Sequence, residues 1–392
     1  MNVAEPQSGF GTPPGPPEAG RTALRVRVGQ TGSVSALAGG RNGDNHGSVL
    51  ADDHASPSQL RMVACAGCGT TLFLPGEAQP LTFVPCSKCG TPVMIPMRLR
   101  QFELRSPIAS GGMGTVYRAF DTTLEREVAV KLVKRELIHD EHAMEGLYQE
   151  ARACAQLNHT NIIHLYTFEE WEGQLYLVME LADRGSLDGR LERGRLPELE
   201  VLDIGIKVAS ALNTALKHGL LHRDIKPGNI LFNADGEPKL VDFGLARRTD
   251  AEDDSDGTVW GTPYYIAPEK VRREREDFLS DMYSLAGTLY HAITQHVPFE
   301  APSVEDVVAA HVHTPLTPPN HVIAEITHPT SEAIVRAMAK DPAERFQSYD
   351  EFSMALEAAR SQYLVGRFVN RTVSAPGAKK KTGGIGSWFR RS

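Results

Sequence analysis

The chain has no uninterrupted apolar run near the ~18 residues that a membrane helix needs. Its first twenty residues are rich in proline and glycine, with no apolar stretch of the kind a secretory signal carries. Cysteine is scarce: five in 392 residues, four of them in two close pairs. An odd number so arranged makes a poor disulfide framework and suits thiols kept reduced. A cytoplasmic protein without a transmembrane segment is the expectation. An excess of positive charge is missing too. The formal net charge is -8, which excludes a protein coated overall in basic charge for nucleic acid. No internal repeat of solenoid period occurs. What is present is ordinary globular composition, 41% apolar and 23% charged, in a length that holds roughly two to three domains.

Composition divides the chain. Residues 1–60 carry many Pro, Gly and Ser and few large apolar residues. Such a segment buries too little to offset its ordering entropy, so a disordered arm is expected. Residues 61–98 hold four cysteines. Residues 99–362 are dense and globular, with strand-like runs at Glu127–Val133 and Leu175–Leu181 and helical ones at Leu199–Lys217 and Leu279–Thr294. Strands followed by helices point to an α+β arrangement. Residues 363–392 are read as a basic flexible tail, in which Gly366–Ser392 has seven basic residues and no acid. Pro376 and several glycines argue against a stable helix there. The net charge is therefore uneven: -1 over residues 1–60, -14 over 61–365 and +7 over the end. A solvated tail is the first reading, and contact with an anionic surface the second.

The cysteines read Cys65-x2-Cys68, then seventeen residues, then Cys86-x2-Cys89. Each pair is followed by a glycine, Gly69 or Gly90, which eases the tight turn. Four thiolates at this spacing make a closed tetrahedral Zn2+ site with no open position for substrate. Leu72, Phe73, Leu74, Phe83 and Val84 in the intervening stretch suit short hairpin strands. The module resembles a zinc ribbon. It is read as a structural staple for a small unit and as a partner-binding element.

Further on comes a run of motifs in one order. Ser110-Gly-Gly-Met-Gly-Thr-Val-Tyr117 is glycine-rich, and Val128-Ala-Val-Lys131 follows it. Then come His222-Arg-Asp-Ile-Lys-Pro-Gly-Asn229, Asp242-Phe-Gly244 and Ala267-Pro-Glu269. Across about 260 residues the chain resembles the protein kinase family, and in detail the eukaryotic-like serine/threonine kinases of bacteria. The resemblance implies a bilobal kinase fold, β-rich small lobe 99–182 and helical large lobe 183–362, preceded by the small zinc ribbon. It implies transfer of the γ-phosphoryl group of ATP to Ser/Thr hydroxyls of protein substrates. Its competitor is a pseudokinase or scaffold that binds partners through the ribbon.

The same resemblance implies residue roles. Phosphoryl transfer asks for charge neutralisation and in-line positioning rather than covalent catalysis. Gly111, Gly112 and Gly114 would let backbone N–H groups approach the phosphates, with Ala109 where the family commonly has the first glycine. Lys131 would pair with the α/β-phosphates and be held by Glu150, with Glu145 and Glu141 as alternatives. Asp224 would take or orient the hydroxyl proton, and Lys226 would contact the γ-phosphate. Asn229 and Asp242 would hold Mg2+ or Mn2+. Val116 and Ala129 above and Leu231 below would enclose adenine. Met179 is the gatekeeper, and the backbone from Glu180 to Ala182 would meet the purine edge. Glu269 with Arg345 resembles a buried ion pair, and Asp281 the anchor of the catalytic loop.

Regulation is implied as well. Arg223 would pair with a phosphate on Thr258, four residues before Thr262, with Thr249 and Ser255 as weaker sites and self-association as the route to autophosphorylation. Cys154 is read as a small buried hydrophobe. His311-Val-His313 is read as surface, on a Pro-rich loop. Arg272–Glu276 is read as a solvated charged face.

Overall fold

Two short hairpins open the described part of the chain. Strand β1 (Arg61–Ala64) pairs antiparallel with β2 (Thr71–Leu74), and β3 (Phe83–Pro85) with β4 (Pro92–Met94). Each hairpin straddles one cysteine pair; Leu72–Leu74 and Phe83–Val84 are in strands as expected, but in two different hairpins. The computed structural model describes residues 61–74, 78–112, 114–139, 141–243, 247–248 and 263–373. All belong to a single unit. The arm 1–60, Thr249, Ser255, Thr258, Thr262 and the segment after residue 373 lie outside the described residues.

The small lobe is a six-stranded antiparallel sheet in the order β5-β6-β7-β8-β10-β9. Its strands are β5 (Met97–Leu99), β6 (Phe102–Ser110), β7 (Gly114–Asp121), β8 (Arg126–Val133), and, after α1 (Glu141–Gln156), β9 (Leu165–Trp171) and β10 (Gln174–Met179). Alternation decides its two faces. Val128, Val130, Tyr176 and Val178 pack on one side with Leu99, Phe102 and Leu104. Val133, Leu175 and Leu177 face the other way and meet Leu147 and Ala151 of α1. The lobe begins two residues earlier than the expected boundary at residue 99, because β5 starts at Met97 and pairs with β6.

The large lobe is mainly helical: α2 (Leu187–Leu191), α3 (Glu198–Lys217), α4 (Pro268–Arg272), α5 (Phe278–Thr294), α6 (Val304–His313), α7 (Pro319–Val322), α8 (His328–Ala337) and α9 (Tyr349–Val373). Between α3 and α4 lie β11 (Leu220–Leu221), β12 (Ile230–Phe232), β13 (Pro238–Leu240) and β14 (Arg247–Arg248). The core centres on α5, where Met282, Leu285, Ala286 and Leu289 are almost wholly buried. Gly205 of α3 lets that helix come close. A Cβ there would meet Leu289 Cδ1 at 2.7 Å and Leu356 Cδ1 of α9 at 3.0 Å.

Glu269 and Arg345 form the buried pair expected of them. Arg345 donates to Glu269 at 2.7 and 2.8 Å and to the carbonyls of Leu279 and Ala339 at 2.8 and 2.9 Å. Ser280 Oγ donates to the same carboxylate at 2.7 Å. Burial raises the Glu269 pKa, but Arg345 more than reverses this, so the group lies below the ordinary glutamate value. Removing one partner strands a buried charge, at a cost of ~3–5 kcal/mol.

Two further sequence expectations fail. Helix α9 continues to Val373, so Gly366 and the residues after it up to Val373 are helical; its earlier turns pack on α8 and α3 and carry the helix past the expected boundary at 362. His311 is not on a surface loop. Ser303 caps α6 by accepting from the N–H of Asp306, and the helix turns His311 fully inward. There its Nδ1 is 2.9 Å from the Tyr283 hydroxyl, its ring packs on Phe299, and Lys340 Nζ donates to its carbonyl at 2.7 Å. The run 272–276 is mostly exposed, as expected.

Burial, with the Lys340 charge adding to it, lowers the His311 pKa from 6.5 to about 3. Between those values the unfolded chain takes up a proton that the fold excludes, so stability falls as pH falls. His311→Gln should flatten the pH dependence of the unfolding temperature between pH 6.5 and 4. Parallel profiles for variant and wild type would refute this.

Candidate active site and the four-cysteine centre

The segment from His222 to Asn229 crosses from β11 to β12 and is held from below. Asp281, in the first turn of α5, accepts the backbone N–H of His222 and of Arg223, each at 2.7 Å. Asp277 starts that helix by accepting the Leu279 N–H. Arg223 takes a left-handed backbone, φ 66°, which costs a non-glycine residue ~1–3 kcal/mol. Its N–H is fixed by Asp281 and its C=O by Lys270 Nζ at 3.1 Å. His222 is fully buried. Its Nε2 donates to the Val241 carbonyl at 3.0 Å and its Nδ1 accepts the Asp224 N–H at 3.3 Å. Burial pushes the Asp281 pKa up, against the pull of His222 and its two N–H groups.

These bonds set out the side chains above. Lys226 Nζ is 2.6 Å from Asp224 Oδ2. Asn229 Nδ2 donates to the same oxygen at 3.0 Å and to the Asp224 carbonyl at 2.8 Å. Among the described residues Asp224 Oδ1 has no partner. Asn229 commits its NH2 group, leaving its Oδ1 as the oxygen for a cation. Asp242 is exposed and also left-handed, φ 65°.

A cleft of about 540 Å3 lies over this loop. Ala109, Gly111, Gly112, Gly114, Val116, Ala129 and Lys131 line it from the small lobe. Asp224, Asn229, Leu231 and Asp242 line it from the large lobe, with Met179, Glu180 and Ala182 at the junction. Strand register explains the grouping. Lys131 lies opposite Val116 and Leu177, and Ala129 opposite Met179, so all five share one face. Cys154, Ala151 and Ile163 also line the cleft, and Cys154 is half-buried rather than fully buried as expected. Glu150 lies on α1, but its side chain lies outside the described residues.

Gly114 has a packing reason in addition to the expected one. A Cβ there would meet the Leu132 carbonyl oxygen at 2.0 Å, whereas Gly111 and Gly112 face open space. The third glycine is required for strand packing, and the first two leave room above the cleft.

The junction holds a pair that sequence reasoning missed. Lys239, almost buried on β13, forms an ion pair with Glu180 Oε1. The other oxygen of Glu180 accepts the His164 N–H at 3.3 Å, and the Glu180 N–H donates to the His164 carbonyl at 2.9 Å. Lys239 lies opposite Leu231 in the β12–β13 register. The junction is thus tied to the strand that forms the cleft floor.

A family model described as the protein kinase domain matches residues 102–363. The chain belongs to the protein kinase family. It is 37% identical over 284 residues to a probable serine/threonine-protein kinase of Streptomyces coelicolor, covering 69% of this chain and 42% of that protein. It is 35% identical over 259 residues to one of Clostridium perfringens, covering 66% of this chain and 38% of that protein. Against the serine/threonine-protein kinase PknL of Mycobacterium tuberculosis it is 34% identical over 270 residues, 68% of each chain. The chain spans about two fifths of the length of the first curated relatives it matches. Within the family it is of the bacterial serine/threonine type.

The four cysteines precede the matched kinase domain. Their sulfurs all lie within 4.8 Å of one another, with Cys65 and Cys89 3.5 Å apart and Cys68 and Cys86 3.7 Å apart. Tetrahedral bonds of ~2.3 Å to one ion put sulfurs ~3.8 Å apart, so the set fits a metal. The two turns are near copies at an offset of 21 residues. In each, the glycine N–H donates to the first cysteine carbonyl at 2.8 Å, and that cysteine N–H to the threonine carbonyl at 2.9 Å. Gly69 and Gly90 have φ 69° and 74°, the left-handed backbone the turn needs. Burial raises the Cys65 thiol to about 11. The Thr91 hydroxyl and N–H lower Cys89 to about 6. A cation would favour the thiolate at all four.

Asp281→Asn would put an NH2 group against one of two buried N–H donors in the kinase catalytic loop, a loss of about 1–3 kcal/mol. The rate of phosphate transfer should fall roughly five- to hundredfold, with the circular dichroism spectrum retained. An unchanged rate would show that the loop holds its shape without this anchor.

Proposed function

We propose that the protein is an ATP- and Mg2+-dependent protein serine/threonine kinase whose four cysteines hold a structural Zn2+ ion. The observation that carries the kinase reading is Asp224. One carboxylate oxygen is engaged by Lys226 and Asn229, the other has no partner among the described residues, and Asp224 lines the same cleft as every described nucleotide-site residue. Apolar Val116, Ala129, Met179 and Leu231 suit adenine, and Lys131 lies at the glycine-rich end, where it suits the α/β-phosphates. Mg2+, when bound by Asn229 and Asp242, offsets the phosphate charge.

The reaction balances on these groups. The substrate hydroxyl oxygen forms a bond to the γ-phosphorus as the bond to the β–γ bridging oxygen breaks. ADP leaves with that electron pair, and the hydroxyl proton passes to Asp224. A carboxylate is a weak base at neutral pH, so Asp224 contributes mainly by orienting the hydroxyl. Lys226, beside it, steadies the transferred phosphoryl group. Lys131 with Glu150 holds the rest of the nucleotide.

The remaining roles extend this reading. Thr258 is the activating phosphosite, received by Arg223 and reached by self-association. The substrates are proteins bearing Ser or Thr. Five cysteines without a disulfide suit the reducing cytoplasm, and among the described residues no helix is long and apolar enough to cross a membrane.

Asp242→Ala should abolish phosphate transfer to a generic protein substrate while leaving the unfolding temperature near wild type. Wild-type protein that folds and transfers no phosphate would favour the scaffold reading. Thr258→Ala should lower activity about tenfold or more, through loss of the charge-assisted bonds that order the segment. Unchanged activity, with no phosphate mapped to Thr258, would remove that site.

A further inference from the structure

The second cysteine turn is built into the small lobe, and the first is not. From Cys89 the chain runs through β4 and Ile95 directly into β5, the edge strand of the kinase sheet. Ile95 and the preceding loop are latched together: the Leu81 N–H donates to the Ile95 carbonyl at 2.9 Å, and the Ile95 N–H to the Thr82 carbonyl at 2.8 Å. The Leu81 side chain packs into the core that Leu99, Phe102 and Leu104 form. Its backbone is left-handed, φ 62°, a conformation that a leucine keeps only where its surroundings hold it. Met94 and Ile95 are buried. In the first turn, Phe73, the counterpart of Met94, is 65% exposed, and among the described residues no side chain of that turn joins the core that Leu81 meets. Contact with that core therefore comes from the second side of the module.

β5 pairs with β6, Met97 opposite Leu104 and Leu99 opposite Phe102. β6 in turn carries Ala109 and Ser110 to the cleft. We propose that Leu81 is a positioning residue for nucleotide: through it, a metal-loaded cysteine module holds the β5–β6 edge and so the wall of the cleft. Strands β3 and β4 have three residues each, too few to keep a hairpin ordered in water on their own. The metal supplies that order, and Gly67, whose Cβ would meet Thr91 Oγ1 at 2.4 Å, shows how tightly the two turns close. Zinc loss frees the second turn, withdraws Leu81 and loosens β5.

The inference rests on the zinc and kinase readings above, and the test separates the three. Three readouts are taken on the full chain: zinc content, hydrogen exchange at Phe102–Leu104, and the KM for ATP against kcat. Wild type is measured loaded, after chelation and after zinc is restored. Leu81→Ala is measured loaded. Chelation should speed exchange at Phe102–Leu104 at least tenfold and raise the KM for ATP about three- to tenfold, with kcat within twofold, and restored zinc should reverse both. Leu81→Ala should keep one zinc per chain yet show the same faster exchange and raised KM. Slow exchange after zinc removal would overturn the inference, as would a loaded Leu81→Ala protein with wild-type exchange and KM. Purified protein that takes up no zinc would overturn the zinc reading and this inference with it. A protein that transfers no phosphate but shows zinc-dependent exchange would overturn the kinase reading and keep the coupling.

Discussion

Both oxygens of Asp281 accept backbone N–H groups of the loop from His222 to Asn229, at 2.7 Å each, and the candidate active site is laid out from that contact. It holds Arg223 in a left-handed turn that a side chain opposes. The turn sets Asp224 beneath the cleft and brings Lys226 and Asn229 to the same carboxylate oxygen. A buried carboxylate without donors is costly. Here the donors are the loop itself, so neither the helix that carries Asp281 nor the loop is satisfied without the other.

Around that anchor the protein repeats one device: a buried charge ties together segments far apart in the chain. Arg345 and Glu269 join the last part of the large lobe to α4. Lys239 and Glu180 join the cleft floor to the strand junction. Such pairs add little net stability against well-packed apolar substitutes, but losing one partner is expensive. Their effect is to select one arrangement of the segments. The cleft needs that selection because its lining comes from more than a hundred residues of chain.

The kinase motifs were legible because each is a short run whose residue types are set by chemistry, from Val128–Lys131 through Asp242–Gly244. The α+β order and the main strands and helices were legible from alternation and helical spacing. Other features were not. Gly114 read as a phosphate-loop glycine, and only the strand pairing reveals the Leu132 carbonyl that excludes a side chain there. His311 read as exposed because of its proline-rich flanks. The Ser303 cap, with Val307, Val308 and His311 at helical spacing, was the signal for a buried face. Lys239 carried no signal, since its partner Glu180 is fifty-nine residues away and Lys239 itself stands in no distinctive local pattern.

The sequence by itself determined the chemistry: which carboxylates, lysines, glycines and thiols are present, and the order in which they come. It also determined the metal-ligand spacing, because a Cys-x2-Cys turn followed by glycine closes locally, whatever surrounds it. Tertiary structure alone decided which oxygen of Asp224 stays free, that Glu180 is clasped by Lys239 of β13, and that Leu81, before the second cysteine turn, packs on the small-lobe core. Those depend on distances between segments far apart in the chain. Only the packed sheet and the buried anchors set such distances.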